Sequence, residues 1–348
     1  MYGRVVLKRH APVGALAAVA TASAAALAST PGTNGQIAFR RYLNATHSQT
    51  ALFTMNADGS NLRQIVRSPP RRNDDGPDWA PDGKLIVFSR NPAVGPHWIE
   101  VVNADGTGLR RVTPRCARAP APNRVPRGCE DAGEPSFTPD GGHVTFARAT
   151  GRIRRFPRFE YEQIEHAAVA IIAVDGTGER EILRLPRYAG DIHYPQVSPD
   201  GRLIVFERFN SPLARPRLTR ALFVMNADGS GVHRVTPWRL QAGDGPDWAP
   251  DGSRILFRSK VDVDDERSQY YTVRPDGTGL TQISHFPFTR RRLFSATFSP
   301  DGQQIVFAKA DAKGRGDVWI MNADGSNPHS VFAAAPWDSA PDWGAAPG

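Results

Sequence analysis

The stretch Pro77-Asp78-Trp79-Ala80-Pro81-Asp82-Gly83, followed by Leu85-Ile86-Val87-Phe88, decides the fold because it recurs along the chain. Related phrases begin at Pro135, Pro195, Pro246 and Thr297, and each precedes an apolar segment that ends in Phe. A second phrase, Asn-Ala-Asp-Gly, begins at Asn56, Asn103, Asn226 and Asn322, with looser versions ending at Gly176 and Gly277. Self-similarity at about 40–50 residues, with several strands per repeat, is typical of β-propeller blades.

Each repeat divides into four predicted strands. The first contains Pro-x-Trp/Phe, the second is the segment x-Ile-x-Phe, and the third is the apolar run before Asn-Ala-Asp-Gly. The fourth is of the type Leu109–Thr113. Asp-Gly between two strand patterns indicates a hairpin because Gly adopts positive φ without steric cost. Pro-Asp-Gly between the first two strands predicts a second tight turn by the same chemistry.

The two chain ends predict how the ring closes. The segment Gln36–Phe39 matches a second strand with no first strand before it, and Ala340–Trp343 matches that first strand. Pairing them leaves no open sheet edge. We therefore predict an all-β fold: a six-bladed β-propeller of four-stranded antiparallel blades, closed by pairing of the N- and C-terminal strands. The predicted propeller covers residues 35–348, with blades at about 35–66 plus 338–343, 76–113, 133–185, 193–236, 245–284 and 295–332.

Residues 1–28 have the pattern of a secretory signal peptide, and residues 29–34 form a predicted linker. A basic start with Arg4, Lys8 and Arg9 precedes a run rich in Ala, Leu and Val that ends in small residues. The alternative is an uncleaved N-terminal anchor, because the run has about the length that spans a bilayer. No later apolar run approaches that length. The expected location is extracytoplasmic, either secreted or periplasmic, or retained at the membrane by the uncleaved signal.

The phrase Ser/Ala-Pro-Asp-Gly-x-x-Ile-x-Phe, followed by Met-Asn-Ala-Asp-Gly-Ser, resembles the repeat of TolB-type six-bladed β-propellers. The resemblance covers about residues 35–343. It implies a periplasmic protein that binds a partner through its propeller, as TolB binds peptidoglycan-associated lipoprotein. TolB also carries an N-terminal α/β domain, whereas the first predicted blade here begins about seven residues after the predicted cleavage site. The resemblance therefore implies an architecture and a binding role without a specific partner.

Tight turns join the first strand to the second and the third to the fourth, so they lie together on what we call the turn face. The longer connections lie on the opposite face, the loop face, where binding residues usually sit. They span Arg40–Thr50, Arg67–Asp75, Arg115–Asp131, Arg148–His166, Arg208–Arg220, Lys260–Gln269 and His285–Phe294. The topology thus predicts that the loop face is the binding surface.

Arginines are concentrated in these connections. Clustered arginines hold phosphate or carboxylate through paired hydrogen bonds and attract anionic partners. This favours an anionic glycan, a lipid headgroup or an acidic protein surface as partner, and the alternative is solvated arginines with no specific role. Nucleic acid is not expected, given the export signal and a net charge that falls from +8 to only +5 when the three basic residues of the predicted signal peptide are removed. The candidates are Arg115, Arg118, Arg154, Arg155, Arg215, Arg217 and Arg291.

Polar residues of the predicted first strands are expected to face the central channel. Converging carboxylates can hold a hard cation such as Ca²⁺. The alternative is a water-filled channel in which these carboxylates cap neighbouring backbone amides. No other cofactor is expected. The candidates in the channel and at its mouth are Asp75, Asp78, His193, Asp244, Asp247 and Asp342.

Cys116 and Cys129 are the two cysteines of the chain and flank a Pro- and Arg-rich insertion on the loop face. In an oxidising compartment they are expected to form a disulfide, which would contribute about 3 kcal/mol in the chain-entropy model. Two free surface thiols are the alternative.

Sequence motifs of common hydrolases are missing. The chain contains neither Gly-x-Ser-x-Gly nor His-Glu-x-x-His. His193 beside Tyr194, together with Asp191, Glu134 and Asp244, is the candidate set for a lyase-like site at the channel mouth. We therefore predict a monomeric binding or scaffold protein that engages a protein or an anionic envelope component through its loop face and channel mouth. The alternative is a polysaccharide lyase-like or other hydrolytic enzyme working from that mouth.

Overall fold

A computed structural model describes eleven segments of the chain, and for residues 151–156 and 159–163 it describes the backbone alone. The predicted signal peptide and linker fall outside these segments, except for the last three linker residues. The described segments are 32–44, 47–70, 72–92, 96–115, 131–156, 159–210, 219–259, 268–287, 293–310, 316–332 and 337–348.

Six antiparallel sheets of four strands each make up these segments. Strands are numbered β1 to β24 along the chain, and each blade is given from its innermost strand outward. Blade 1 contains β24 (Asp338–Ala345), β1 (Asn34–Tyr42), β2 (Thr50–Met55) and β3 (Arg63–Arg67). Blade 2 contains β4 (Arg72–Trp79), β5 (Leu85–Pro92), β6 (Trp98–Asn103) and β7 (Arg110–Arg111). Blade 3 contains β8 (Asp131–Phe137), β9 (His143–Phe156), β10 (Phe159–Ala173) and β11 (Arg180–Arg184).

Blade 4 contains β12 (Gly190–Val197), β13 (Leu203–Asn210), β14 (Arg220–Asn226) and β15 (His233–Arg234). Blade 5 contains β16 (Ala242–Trp248), β17 (Ile255–Ser259), β18 (Gln269–Val273) and β19 (Thr281–Gln282). Blade 6 contains β20 (Leu293–Phe298), β21 (Gln304–Ala310), β22 (Gly316–Asn322) and β23 (His329–Phe332). Within the described segments, the only helical element is a 3₁₀ turn at Trp238–Leu240, and no helix is long and apolar enough to cross a bilayer.

The six sheets form a ring. Each innermost strand contacts the innermost strands of both neighbouring blades, in the order β4, β8, β12, β16, β20, β24 and back to β4. The Phe that ends each x-Ile-x-Phe segment is at most 1% exposed in every blade. These rings belong to six apolar clusters of the described residues, each of which joins two adjacent blades. The predicted six-bladed propeller is confirmed.

The ring closes where the C-terminal strand β24 pairs with the N-terminal strand β1. Trp343 lies opposite Ile37 in this pairing, and its indole N–H donates to the Gly35 carbonyl at 3.2 Å. The Arg41 guanidinium donates two hydrogen bonds of 2.8 Å to the Asp338 carboxylate, and the Asp338 side chain is fully buried. The predicted closure by the two chain ends is therefore present, and a buried ion pair holds it.

One predicted loop is wrong. The sequence predicts an irregular connection at residues 148–166, but β9 and β10 continue through most of this range as a long hairpin. Its register places Arg155 opposite Glu160 and Arg154 opposite Tyr161. Alternating polar and apolar residues, as in Arg152-Ile153-Arg154 and Phe159-Glu160-Tyr161-Glu162, favour extended strands over a loop. The hairpin extends blade 3 on the loop face.

The closing ion pair should be essential for stability. Asp338→Asn leaves the Arg41 guanidinium buried without a counter-charge, which should lower the free energy of unfolding by about 3–5 kcal/mol. Lys84→Ala is the control, because the Lys84–Asp82 pair is 3.7 Å apart and its side chains are more than half exposed. That change should cost less than about 0.5 kcal/mol. Urea unfolding measures both, and equal losses in the two variants would contradict a special role of the closure.

Candidate functional site

A bulge in the innermost strands shapes the channel mouth. The pairing register shifts between Asp75 and Asp78 in β4, between Gly133 and Ser136 in β8, and between His193 and Gln196 in β12. The residue just before the proline of these bulges has positive φ: 56° at Gly76, 56° at Glu134 and 49° at Tyr194. Glu134 and Tyr194 carry side chains in a backbone conformation that costs of order 1 kcal/mol or more, and such residues cluster at functional sites. The bulges thus bring Glu134 and Tyr194 to the mouth.

Below the mouth, side chains of one blade bind the backbone of the next. We call this level of the channel the neck. At four junctions a carboxylate or amide oxygen accepts the N–H of the aromatic residue in the next innermost strand. The pairs are Asp342–Trp79, Asp78–Phe137 and Asp247–Phe298, each at 2.7 Å, and Gln196–Trp248 at 3.0 Å. Between blades 3 and 4 the Thr145 hydroxyl donates to the Pro195 carbonyl at 3.0 Å instead.

Burial shifts the pKa values of the three neck carboxylates, of which Asp247 is buried and Asp78 and Asp342 are partly buried. Burial and the nearby Asp342 charge raise the pKa of Asp78 well above its usual value. Burial raises the pKa of Asp247 to about 7, although the Phe298 N–H and the Gln196 amide favour its charged form. Burial likewise raises the pKa of Asp342 to about 6. Capping of neighbouring amides, one of the two roles considered for these residues, is what the geometry shows.

Asp75 and Asp244, at the mouth, are engaged by arginines. An Asp75 carboxylate oxygen lies 2.5 Å from Arg40, and the same carboxylate accepts the Gly76 N–H at 2.8 Å. Asp244 forms ion pairs with Arg220 and Arg258. Both arginine side chains are more than nine-tenths buried. These two aspartates therefore already have cationic partners within the chain.

His193 lies between two carboxylates. Its Nδ1 is 2.9 Å from Glu134 Oε1, and its Nε2 is 3.0 Å from Asp191 Oδ2. Glu134 also accepts the Tyr194 N–H at 3.0 Å. Burial lowers the pKa of His193, but the Glu134 and Asp191 carboxylates outweigh it and hold that pKa well above 6.5. Both nitrogens of the His193 ring thus face carboxylates, an arrangement that favours the imidazolium form.

A cavity of about 420 Å³ opens at this mouth and extends down to the neck. We call it the mouth cavity. Ala147, Ala149, Ile164 and Ile192 form an apolar part of its wall. None of the described residues that line it is Lys or Arg, so a cation fits this cavity better than an anion. Its acidic and imidazole groups belong to Asp75, Asp78, Asp131, Glu134, Asp191, Asp342, His97 and His193.

The predicted basic surface is mostly outside the described residues. Arg118, Arg215, Arg217 and Arg291 fall in the omitted segments, as do Cys116 and Cys129, so the anion-binding surface and the disulfide stay predictions. Arg115 is described and exposed at the end of blade 2. Arg154 and Arg155 lie on β9, on the long hairpin of blade 3.

A calcium site in the channel also stays a prediction. Among the residues whose side chains are described, no three His, Cys, Asp or Glu side chains are grouped so that they could hold a metal ion. The neck carboxylates Asp78, Asp247 and Asp342 each accept a backbone N–H from the next blade. This leaves each of them fewer oxygen lone pairs to offer a cation.

The basic residues that form ion pairs at the channel mouth were not predicted from the sequence. Arg40, Arg220 and Arg258 pair with carboxylates there, and Glu207 accepts the Asp244 N–H at 2.8 Å. A signal was available for part of this network, because a basic residue follows the Phe of x-Ile-x-Phe within two positions in every repeat. These residues are Arg40 and Arg41, Arg90, Arg148, Arg208, Arg258 and Lys309.

Comparisons with known proteins agree with this architecture. No protein-family model matches the chain. The Tol-Pal system protein TolB of Anaeromyxobacter dehalogenans is 27% identical over 206 residues, which are 56% of this chain and 44% of that protein. The chain thus spans less than half the length of this curated relative.

Two solved structures share the fold. The crystal structure of TolB from Acinetobacter baumannii matches 90% of this chain and 67% of its own, with a TM-score of 0.66 and 17% identity. An oligogalacturonate lyase in complex with manganese matches 80% of this chain and 70% of its own, with a TM-score of 0.51 and 15% identity. Fold and site define a six-bladed β-propeller with a ligand-sized cavity at its channel mouth. More particularly, its sequence and its fold are similar to those of TolB.

The neck should make stability depend on pH. Native Asp342 and Asp247 keep their protons up to about pH 6 and 7, whereas unfolded Asp loses its proton near pH 3.9. The native state therefore binds more protons in this window, and the free energy of unfolding should fall as pH rises from about 4 to 7. Asp342→Asn removes one of these groups. Relative to wild type, its stability should rise by on the order of 2 kcal/mol between about pH 4 and 8.

Urea unfolding of wild type and Asp342→Asn at about pH 4 and about pH 8 measures this difference in stability. The carboxamide oxygen introduced by Asp342→Asn can still accept the Trp79 N–H, so the variant should fold. A constant difference between wild type and Asp342→Asn across the range would contradict the raised pKa of this carboxyl.

The His193 environment can be tested directly. NMR titration of the histidine ring protons should show that His193 has a pKa above 6.5. Glu134→Gln removes the carboxylate that faces Nδ1, so the His193 pKa should fall by about one unit or more. The other histidine resonances serve as internal controls. A His193 pKa that is unchanged in Glu134→Gln would show that the Glu134 charge does not stabilise the imidazolium.

Proposed function

We propose that this protein is an extracytoplasmic binding module that receives a segment of a protein partner at the mouth of its channel. The mouth cavity carries this proposal, because it is of ligand size and combines an apolar wall with carboxylates. It opens on the loop face, where binding residues are usually presented on a rigid scaffold.

The chemistry of the cavity favours a lysine or arginine side chain of the partner. Such side chains have an apolar stem and a cationic head. The stem fits against Ala147, Ile164 and Ile192, and the head fits beside Asp131 and Glu134. Asp131 is well placed for this role, because 42% of its side chain is exposed and its carboxylate is held in position by the His97 backbone N–H, which donates to it at 2.6 Å.

Binding is favoured over catalysis by the state of His193. A lyase base must take a proton from the substrate, which requires a free ring nitrogen. Both nitrogens of His193 lie within 3.0 Å of a carboxylate oxygen. The fold shared with an oligogalacturonate lyase carries no chemistry by itself. The enzymatic alternative therefore has the fold in its favour, but His193, its candidate base, offers no free ring nitrogen.

The extracytoplasmic location rests on the signal-peptide pattern and on the TolB-like repeats. The TolB relatives are named for the Tol-Pal system, which supports a role in the cell envelope. An anionic envelope component on the arginine-rich connections would add a second contact on the same face. That contact is separate from the mouth cavity, whose described lining contains no Lys or Arg.

Site-specific photo-crosslinking in the cells that make the protein tests the proposal. A photoreactive residue at His97 or at Ser295, both of which line the mouth cavity, should give an adduct with one and the same protein. The matched control is Lys84 on the turn face, which is 64% exposed and should give no such adduct.

A companion variant tests the expected ligand chemistry. Asp131→Asn removes an exposed carboxylate from the cavity, so the adduct yield from Ser295 should fall several-fold. Adducts from Lys84 but none from His97 or Ser295 would show that the partner uses the other face and would overturn the proposal.

A further inference from the structure

The long hairpin of blade 3 continues beyond the innermost strand of its blade. The pairing of β8 with β9 begins where Asp131 lies opposite Ala149, but β9 extends to Phe156. Residues 150–156 pair with β10 on one side, and on the other side they pair with no strand of the described segments. We call this unpaired side of residues 150–156 the free edge. Because β8 is the innermost strand of the blade, the free edge faces the channel axis.

The register shows which backbone groups the free edge presents. The Ala132 N–H donates to the His97 carbonyl, which belongs to blade 2, so it points away from β9. Backbone groups point to alternate sides along a strand, so the neighbouring Asp131 faces Ala149 of β9. Counting by two from Ala149 gives the residues whose N–H and C=O groups lie on the free edge. They are Gly151, Ile153 and Arg155.

The outer edge of the same hairpin, on β10, is interrupted and partly covered. β10 has an extra residue, Glu165, between Ile164 and His166, where the register shifts. The Glu165 carbonyl accepts the Tyr188 N–H at 3.2 Å, and β11 pairs with β10 from Ala168 onward. Bulges and covering segments are devices that keep a sheet edge from pairing with another chain. The free edge of β9 has no bulge, because β9 contributes consecutive residues to the pairing with β10.

The free edge begins at the wall of the mouth cavity. Ala149, the last residue of β9 that pairs with β8, lines this cavity. Ile164 also lines it and lies opposite Gly151, the first residue that presents backbone groups on the free edge. Asp131, beside which the cationic head of the partner fits, lies opposite Ala149. A chain segment whose side chain reaches Asp131 is therefore in line with the free edge.

We propose that the free edge of β9 pairs with an extended segment of the protein partner, which thereby adds a strand to blade 3. This inference rests on the proposed function, because the segment is the one whose Lys or Arg side chain enters the mouth cavity. In strand addition, main-chain hydrogen bonds give affinity and side-chain pockets give specificity. Here the free edge supplies the first and the mouth cavity the second. Its length of about 20 Å suits a strand of five or six residues.

The photo-adduct formed from Ser295 reports whether the partner uses this edge. Ile153→Pro removes one N–H from the free edge and leaves the bonds between β9 and β10 in place, so the adduct yield should fall several-fold. The matched control is Glu162→Pro. Glu162 lies directly opposite Ile153, and in such a pair both N–H groups point away from each other, so this change removes an N–H from the outer edge. The yield from Glu162→Pro should match that of the unsubstituted protein.

Hydrogen exchange of the purified Ser295 adduct gives a second measurement that needs no proline variant. In the free protein, the N–H groups of Gly151, Ile153 and Arg155 should exchange rapidly, because they have no strand partner. In the adduct, their exchange should slow at least about tenfold. The N–H groups of Arg152 and Arg154 face β10 in both states and should exchange at the same rate in both.

Each result has a defined meaning. A loss of adduct in Ile153→Pro but not in Glu162→Pro, with slower exchange along the free edge, supports the added strand. An unchanged yield in Ile153→Pro, or unchanged exchange in the adduct, overturns this inference but leaves the proposed function in place, because the segment would then enter the cavity without pairing. Absence of a Ser295 adduct in the unsubstituted protein overturns the proposed function itself, and the added strand with it.

Discussion

The structure depends on how each innermost strand satisfies its channel-side edge. That edge has no further strand beside it, so buried N–H groups there need another acceptor. At four junctions the acceptor is a side chain of the preceding blade: Asp342, Asp78, Gln196 or Asp247. The same bonds fix the rotation of one blade against the next. Each of these side chains therefore both accepts a hydrogen bond from a sheet edge and connects two neighbouring blades of the ring.

This constraint separates the channel into two levels with different roles. At the neck, carboxylates are occupied by backbone amides and their charge is costly because they are buried. At the mouth, the bulges release the chain from regular pairing, and the side chains of Glu134 and Tyr194 line a cavity instead of packing between blades. The residues of the neck therefore hold the blades together, and the residues of the mouth are available to bind a partner.

The fold could be predicted from the sequence because the repeat occurs six times. Turn chemistry at Asp-Gly, the buried Phe of each second strand and the half-repeats at the two ends each indicate the same arrangement. The site was harder to predict. Asp75 and Asp244 were candidates for ligand binding, but Arg40 and Arg220 reach them from the neighbouring blade, and the repeat pattern does not show such contacts between blades. The acidic character of the channel mouth was predicted from Asp75, Asp78 and Asp342, which line the mouth cavity, but counting arginines in loops does not show which of them pair with carboxylates.

Closure by the terminal strands has a consequence for how the chain can be cut and rejoined. Ala346 donates its N–H to the Thr33 carbonyl at 2.8 Å, so the two ends of the described propeller lie side by side. A short linker between them, with new termini opened at an Asp-Gly turn of another blade, would keep every strand pairing. The ring thus does not depend on where the polypeptide begins. A circular permutant could have its N and C termini in any chosen blade.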